Sequence, residues 1–319
     1  MAIYDDDPPR PVRLLYVAGM GRAGSTLVGA VLATMVGPSI LLGESKRLWH
    51  ACAQPGELCG CGDRFDQCSF WQPVLEDAFG GVDPVTAGAH VDLGRWFFSR
   101  RRLLTATRAT GSRPPRDGAA AEYLSIVDRL IASIGRLHPG HTVVDTSKHP
   151  LYGAALTTLD DVDVGVVHLT RDPRAVANSH RRSRPRPEIT WEDRFLPQAN
   201  ARRVAALTWE RELEVAILRS RAGRSVRLRY EDFVDAPMER MADSLAGLGI
   251  DPDPSWGEGR PLPPGHMIAG NPWIRRQEPV RISADDAWRK ELPRAAWVGL
   301  TVATAPVLVR DRLPRSLRS

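Results

Sequence analysis

Residues 16–37 read YVAGMGRAGSTLVGAVLATMVG, the pattern of a buried strand that breaks into a glycine-rich turn and continues as an apolar helix. Such a turn brings backbone N–H groups to a helix N-terminus, an arrangement that binds phosphate. Gly19 and Gly24 have the spacing of an ATP- or GTP-binding loop, but Ser25 stands where that loop carries its lysine. Arg22 supplies a positive charge inside the turn. The loop therefore predicts a phosphate-type ligand and is poorly equipped for triphosphate hydrolysis.

A second segment, VVHLTRDPRAVANSHRRSR at residues 166–184, also begins with an apolar strand pattern. Asp172 is a suitable N-cap and Pro173 a suitable first helical residue, so the segment predicts a strand that turns into a helix. Arg171 then stands at the strand end, and Ser179 lies about two turns into the helix. An arginine and a nearby hydroxyl form a suitable pair of phosphate ligands.

Five short apolar stretches predict strands, and each ends in polar residues that precede a helical pattern. These strands cover residues 12–18, 40–43, 142–144, 164–169 and 226–229. Helices are expected over residues 25–35, 93–107, 119–137 and, limited or kinked by prolines, 284–312. Residues 52–79 read as irregular and residues 110–118 as a mobile loop. The alternation predicts an α/β fold with a single doubly wound, mainly parallel sheet.

Composition narrows the function less than these motifs do. The 43 lysines and arginines against 38 acids suit anionic ligands, but the arginine excess is equally consistent with a GC-rich genome. Turn residues interrupt the uncharged stretch 23–43, and the apolar run 295–309 is too short to cross a membrane. The N-terminal residues MAIYDDD are acidic where a secretory signal is basic. We expect a cytoplasmic protein without a membrane span.

Together the loop and the second segment resemble the family of sulfotransferases that use 3′-phosphoadenosine 5′-phosphosulfate (PAPS). In that family a loop of the form R-S-G-[ST]-[ST] holds the 5′-phosphosulfate, and an arginine followed eight residues later by a serine holds the 3′-phosphate. The chain has the pair Arg171 and Ser179 at that separation and a similar loop, in which Ala23 replaces the usual serine. The resemblance implies that the 5′ end of the donor contacts Arg22, Ala23, Gly24, Ser25, Thr26 and Leu27.

Two later segments extend the resemblance over most of the chain. Tyr230, in the sequence RYED, is similar to a tyrosine that approaches the nucleotide in this family. Residues 266–276, HMIAGNPWIRR, are similar to a G-N-P-x-R segment of bacterial members that covers the 3′-phosphate. Arg275 and Arg276 compete for the role of its arginine, and Arg276 is favoured.

The resemblance also implies a P-loop NTPase-like sulfotransferase fold in one domain over residues 1–319. Residues 1–11 are expected to be flexible. Residues 50–140 are expected to form a helical, cysteine-rich insertion that binds the acceptor, and residues 251–283 an irregular cover over the nucleotide site.

As a reaction, the resemblance implies transfer of a sulfuryl group from PAPS to a hydroxyl, less readily an amine, of a small-molecule, lipid or glycoconjugate acceptor. The product is 3′,5′-ADP (PAP), and no metal is required. Arg22 would stabilise the leaving phosphate, and Lys148, in the segment DTSK, resembles the lysine or serine that stabilises the transition state. Glu44 follows the predicted second strand, where several glycan and protein-tyrosine sulfotransferases place a glutamate base. His149 is the competing base, because an unperturbed histidine has a pKa near neutrality.

Each of these catalytic assignments has a structural alternative. Glu44 could instead cap a helix or form a salt bridge, and Lys148 could be a surface residue at a strand end. His168 and His180 are expected to be structural. The tryptophans could line an acceptor pocket or belong to the core; those considered are Trp49, Trp71, Trp96, Trp191 and Trp273.

All four cysteines, Cys52, Cys59, Cys61 and Cys68, lie within seventeen residues in the pattern C-x6-C-x-C-x6-C. That spacing differs from the paired C-x2-C of a zinc knuckle, so the sequence favours a buried or stapled loop with no metal. A zinc site and a disulfide remain alternatives. The stretch CGCG…CxFW is also similar to bacterial members of the family, without an implied catalytic role.

Two other classes of function fit parts of the sequence. A P-loop nucleotide or small-molecule kinase shares the sheet and the phosphate loop but requires the missing lysine and a metal-binding acid. A basic nucleic-acid-binding protein would account for the arginine excess and the run HRRSR at residues 180–184. That run contains no interleaved aromatic residues, so we expect no nucleic-acid partner.

Overall fold

The structure is a computed structural model of the full chain. The residues that it describes are 11–54, 56–98, 118–182, 199–254, 257, 259–276 and 278–313. The predicted N-terminal segment up to residue 10, the predicted helix beyond residue 98, most of the predicted mobile loop, and Trp191 lie outside these residues.

Five parallel strands form one sheet in the order β2-β3-β1-β4-β5. The strands are β1 (Val12–Gly19), β2 (Ser39–Gly43), β3 (Thr142–Lys148), β4 (Val162–Thr170) and β5 (Arg224–Arg229). β1 lies at the centre and pairs with β3 on one side and β4 on the other. Strands of this kind need helical crossovers, so the predicted doubly wound parallel sheet is confirmed.

The connections between the strands are mostly helical. The helices before β4 are α1 (Ser25–Ala33), α2 (Leu48–Ala53), α3 (Trp71–Phe79), α4 (Pro84–Phe97), α5 (Ala119–Leu137) and α6 (Pro150–Leu156). Those after β4 are α7 (Pro173–Arg181), α8 (Ala201–Arg219), α9 (Tyr230–Asp235), α10 (Pro237–Gly247), α11 (Trp288–Glu291), α12 (Arg294–Ala303) and α13 (Ala305–Arg312).

Alternate residues of β1 enter two cores on opposite faces of the sheet, as expected for a buried strand. Leu14 and Tyr16 pack in one core with apolar residues of α3, α5 and α6. Leu15 and Val17 pack in the other with apolar residues of α1 and α10. The predicted insertion thus shares its core with the sheet, and Trp49 and Trp71 are both buried in it.

Several predicted boundaries are wrong for local reasons. β3 continues to Lys148 and does not end at Val144, because Asp145 and Lys148 pair with Tyr16 and Ala18 near the end of β1. α4 begins at Pro84, where the Asp83 side chain accepts hydrogen bonds from two backbone N–H groups of the first turn. The stretch 52–79, predicted to be irregular, contains α3.

Other predicted elements are confirmed. α5 has the predicted bounds. Asp172 caps α7, with its carboxylate accepting from the backbone N–H of Arg174 at 2.9 Å, and Pro173 is the first helical residue. Pro293 stands before α12 and Pro306 in the first turn of α13. Within the described ranges, every helix is too short or too polar to cross a membrane.

Candidate functional site

A cleft of about 750 Å³ opens at the carboxyl ends of the strands, where parallel α/β sheets bind their ligands. Most of the predicted site residues line it: Arg22, Gly24, Ser25, Thr26, Leu27, Glu44, Lys148, Arg171, Ser179, Tyr230 and Arg276. These residues come from six separate segments of the chain. Ala23, His149 and Arg275 lie outside the set of described residues that line the cleft.

The glycine-rich turn ends at Gly24, which precedes the first helical residue Ser25 with a left-handed backbone (φ 98°). A side chain at Gly24 would collide with the Tyr230 ring, since an added Cβ would lie 2.3 Å from ring carbon Cε2. Glycine is therefore required both by the backbone conformation and by the close approach of Tyr230. The first-turn N–H groups of a helix lack intrahelical acceptors, and here that turn, Ser25 to Leu27, faces the cleft.

Two cationic residues of the cleft have strained backbones. Arg22 (φ 71°) and Lys148 (φ 67°) adopt the left-handed region, which costs residues with a Cβ about 1 kcal/mol or more. In the described part of the chain only Ala269, beside the cleft residue Gly270, shares this property among non-glycine residues. Such strain is typical of functional sites.

Arg171 contacts two other predicted ligand-binding residues, Arg22 and Tyr230, and one acid. Its Nη1 donates a hydrogen bond to the backbone carbonyl of Arg22 at 3.0 Å. Its guanidinium carbon lies 4.5 Å from the centroid of the Tyr230 ring, a cation–π arrangement. Its Nη2 forms an ion pair with Oδ2 of Asp285 at 3.1 Å. The loop, the end of β4 and the end of β5 are therefore joined at one point of the cleft.

The segment predicted to cover the nucleotide contacts the loop directly. The backbone N–H of Asn271 donates to Thr26 Oγ1 at 3.2 Å, and Gly270 and Trp273 also line the cleft. Of the two candidate arginines, Arg276 lines the cleft, whereas Arg275 lies outside its described lining.

Glu44 and Lys148, the two residues predicted to act on the acceptor and the transition state, are paired with each other. Lys148 Nζ lies 2.5 Å from Glu44 Oε1, and Arg47 Nε lies 3.1 Å from Glu44 Oε2. Adjacent β2 and β3 place them together, because Glu44 follows β2 and Lys148 ends β3. The Glu44 side chain is 8% exposed, and each of its two carboxylate oxygens faces a cation.

A buried carboxylate supports this corner from behind. The Asp145 carboxylate accepts hydrogen bonds from the Ser45 hydroxyl and, at 2.7 Å, from the backbone N–H of Ser147. Burial raises the pKa of Asp145 to about 6, while these two hydrogen bonds oppose the shift. Because Ser45 follows Glu44, the hydrogen bond fixes the end of β2 against β3. Sequence reasoning did not identify Asp145 or Ser45.

His149 and His168 do not belong to the described lining of the cleft. His149 precedes α6 with its ring 5.0 Å from that of Phe98, and burial lowers its pKa well below the usual value. Burial and the neighbouring Arg227 lower the pKa of His168 to about 3, so that it stays neutral in the core.

A second, smaller cavity of about 260 Å³ lies between the residues that follow Glu44 and the predicted acceptor-binding insertion. Its lining includes Lys46, Trp49, His90, Phe98 and Tyr123. The Lys46 ammonium lies 4.4 Å from the Phe98 ring centroid, and burial lowers the pKa of Lys46 to about 8. This cavity combines aromatic walls with a cation that burial has made easier to deprotonate.

Comparison with known proteins agrees with the geometry of the large cleft. A family model described as "Sulfotransferase family" matches residues 15–254. The chain belongs to the sulfotransferase family. As a member it is an enzyme of the transferase class. No curated protein sequence gives a significant match.

Three solved structures are similar to this sulfotransferase. The sulfotransferase domain of the Synechococcus PCC 7002 olefin synthase is 19% identical, with 97% of this chain and 98% of that chain covered and a TM-score of 0.48. Retinol dehydratase in complex with androsterone and PAP is 15% identical, with coverages of 95% and 83% and a TM-score of 0.40. A sulfotransferase from Alicyclobacillus acidocaldarius is 12% identical, with coverages of 98% and 100% and a TM-score of 0.38.

The large cleft of this sulfotransferase is cationic. Six of its described lining side chains are cations and three are acids, which favours a ligand with several negative charges. The cations are Arg22, Lys148, Arg171, Arg182, Arg276 and Arg281, and the acids are Glu44, Glu278 and Asp285. Sequence reasoning missed Arg182, Arg281 and Asp285, although Arg182 lies inside the quoted second motif.

Two arginines of the basic run 180–184 form contacts within the sulfotransferase itself. Arg181 donates to the backbone carbonyl of Glu291 at 2.6 Å, and Arg182 Nη2 lies 2.6 Å from a Glu291 carboxylate oxygen. Local pairing and proximity to the cleft account for these two arginines.

Proposed function

We propose that this sulfotransferase uses PAPS as the sulfuryl donor and releases 3′,5′-ADP. The observation that carries the proposal is the single cleft in which the glycine-rich loop meets Arg171, Ser179 and Tyr230. A donor with a phosphosulfate at 5′ and a phosphate at 3′ requires two separate anion-binding groups, and the cleft offers both. Its excess of cationic lining supports the same ligand.

The residues of the cleft fit such a donor at each end. The first turn of α1, with Gly24 leaving its N–H groups accessible, suits the 5′-phosphosulfate. Arg171 and Ser179 suit the 3′-phosphate, and Arg276 adds a further cation on the same cleft. The Tyr230 ring packs against Gly24 and against the Arg171 guanidinium. This position suits contact with the part of the nucleotide that joins its 5′ and 3′ groups.

PAPS would supply the sulfuryl group, and the chain would orient the acceptor and balance charge. Arg22 and the first-turn N–H groups would stabilise the charge on the departing phosphate oxygen. Lys148 would stabilise the transferred group, since it lines the same cleft on a strained backbone.

We infer that Glu44 rather than His149 accepts the proton of the attacking hydroxyl. Glu44 lines the cleft, 2.5 Å from Lys148, whereas the buried His149 ring has lost basicity and lies outside the described lining. The ion pair places the Lys148 ammonium beside the Glu44 carboxylate. An acceptor hydroxyl that displaces the Lys148 ammonium would lie beside the Glu44 carboxylate, which takes its proton. The displaced ammonium would then be available to stabilise the transferred sulfuryl group.

For the acceptor we propose a small molecule or glycoconjugate that extends from Glu44 into the smaller cavity. Lys46 lies two residues beyond Glu44 and lines that cavity, so the two sites are adjacent along the chain. The aromatic walls support an acceptor with an apolar or sugar face. Residues of the sheet and of the segment 50–140 pack in the same core. This supports one domain that contains both the donor cleft and the smaller cavity.

The test measures thermal unfolding of the protein with 3′,5′-ADP, because a ligand that binds only the folded state raises the unfolding temperature. We expect stabilisation by 3′,5′-ADP, most of which is lost in Arg171→Ala. Arg276→Ala should also reduce it, and the matched control Arg275→Ala should not. Stabilisation by ATP with magnesium and none by 3′,5′-ADP would contradict the proposal and favour a kinase.

A further inference from the structure

Three cysteines and one histidine converge outside the cleft. Cys59, Cys61 and Cys68 lie between α2 and α3, and His266 is 198 residues beyond Cys68 in the chain. The three sulfurs and one histidine ring nitrogen all lie within 4.8 Å of one another. Cys59 and Cys68 are fully buried. Chain segments this distant in sequence bring four metal-binding groups to one point.

Four of the six distances among these groups are close to those of a tetrahedral zinc site. Zinc binds sulfur at about 2.3 Å and imidazole nitrogen at about 2.0–2.1 Å, which places tetrahedral ligands roughly 3.5–3.8 Å apart. Cys68 Sγ lies 3.5 Å from Cys59 Sγ and 3.8 Å from Cys61 Sγ. His266 Nδ1 lies 3.4 Å from Cys68 Sγ and 3.9 Å from Cys59 Sγ.

The surroundings of the four groups support a metal site. The Phe70 ring stacks on the His266 ring with centroids 4.7 Å apart, and Trp71 Nε1 donates to the His266 carbonyl at 2.9 Å. Outer contacts of this kind orient metal ligands.

A disulfide fits the arrangement less well. All four cysteines are free thiols, and Cys68 approaches two other sulfurs at similar distances. A disulfide would join two of the three sulfurs and leave the third, together with His266, without a role. Cys52 stays outside the cluster, and burial raises its pKa to about 12. Cys52 is therefore a control for a partly buried cysteine that does not belong to the site.

We propose that the protein holds one structural zinc ion through four ligands: Cys59, Cys61, Cys68 and His266. The four protein ligands complete a tetrahedral shell and leave no open position, as in structural rather than catalytic zinc sites. The proposal replaces the metal-free loop that the cysteine spacing favours, because His266 supplies the fourth ligand from a distant segment. It does not depend on the identity of the sulfuryl donor.

The zinc ion would fix the segment that runs from His266 to the cleft. In that segment, the carbonyl of Met267 accepts a hydrogen bond from the N–H of Gly60 at 2.9 Å, and the carbonyl of Ile268 accepts one from the N–H of Glu44 at 2.8 Å. The next residues reach Gly270, which lines the cleft. A metal at the cysteine loop therefore supports the backbone beside Glu44 without touching the ligand.

The first test is the zinc content of protein purified under reducing conditions without chelators or a metal-binding tag, measured by plasma mass spectrometry. We expect about one zinc per chain. Cys68→Ser and His266→Gln should lose most of it, and the control Cys52→Ser should retain it. Either of two results would overturn the proposal. One is equal zinc content in Cys52→Ser and both ligand variants. The other is no zinc in the wild type together with no metal uptake in the next test.

The second test keeps the wild-type sequence, so that a failure of the variants to fold cannot imitate the result. Apoprotein is titrated with Co²⁺, and the visible spectrum is recorded. We expect saturation at about one equivalent with the intense bands of a tetrahedral thiolate site, and their loss on adding Zn²⁺. A linear, non-saturating response would overturn the proposal. So would an intact mass that shows a disulfide between two of the three cysteines in the purified protein.

Discussion

Replacement of Gly24 by alanine tests the geometry of the phosphate loop most sharply. A residue with a Cβ at φ 98° costs about 1–2 kcal/mol of conformational strain. The added methyl would also lie 2.3 Å and 2.6 Å from two carbons of the Tyr230 ring, and overpacking of this kind costs about 1–3 kcal/mol. We therefore expect Gly24→Ala to lower the free energy of unfolding by about 2–5 kcal/mol.

The same loop provides a matched control. A Cβ on Gly21 would meet nothing within 4 Å, and its backbone is outside the left-handed region. Gly21→Ala should change the free energy of unfolding by no more than about 0.5–1 kcal/mol. Urea unfolding gives these values, and calorimetric titration with 3′,5′-ADP should show at least about tenfold weaker binding for Gly24→Ala, a loss of about 1.4 kcal/mol.

A double variant separates the two causes. Tyr230→Ala removes the ring that the new methyl strikes, so Gly24→Ala combined with Tyr230→Ala should cost less than the sum of the single changes, by about 1–3 kcal/mol. The backbone strain would remain. Equal stability and equal affinity in Gly24→Ala and Gly21→Ala would refute the close packing of the loop against Tyr230.

Three further predictions concern the corner beyond the loop. Burial lowers the pKa of Lys46 from 10.5 to about 8, so the charged side chain destabilises the native state below about pH 8. Lys46→Met should therefore raise the unfolding temperature at pH 7. This gain should shrink between about pH 8 and 10, where Lys46 is neutral in the folded state but still charged in the unfolded state. A pH-independent gain would contradict this cause. Ser45→Ala removes a donor to the Asp145 carboxylate and should cost about 1–3 kcal/mol in urea unfolding at pH 7, less at pH 5, where Asp145 is mostly protonated. An equal cost at both values would be inconsistent. With an acceptor identified by labelling a cell extract, Glu44→Gln should lower turnover by about 100-fold or more, while near-normal turnover would promote His149 as the base.

Local sequence signals predicted the features that depend on neighbouring residues. The glycines at positions 19 and 24 and the Asp172–Pro173 helix start are read from a few adjacent residues, because strain and capping are local effects. The doubly wound parallel sheet likewise follows from the alternation of apolar strands with helical patterns.

Features that depend on distant segments were not predictable in the same way. The Glu44–Lys148 pair requires β2 to lie beside β3, and single-sequence patterns do not give strand order. His266 approaches the cysteines only through the path of the segment that crosses the end of β2. The loss of basicity of His149 results from tertiary burial, which its neighbours along the chain do not reveal.

The central claim is that the cleft recognises a nucleotide with phosphates at both 5′ and 3′. Calorimetric titration of the wild type with 3′,5′-ADP and with 5′-AMP, repeated on Arg171→Ala, tests it most directly. Hydrogen bonds to a charged group contribute about 1.5–3 kcal/mol, so 3′,5′-ADP should bind the wild type roughly 10- to 100-fold more tightly than 5′-AMP. Arg171→Ala should abolish most of that difference. Equal affinities of the wild type for the two nucleotides would contradict the claim.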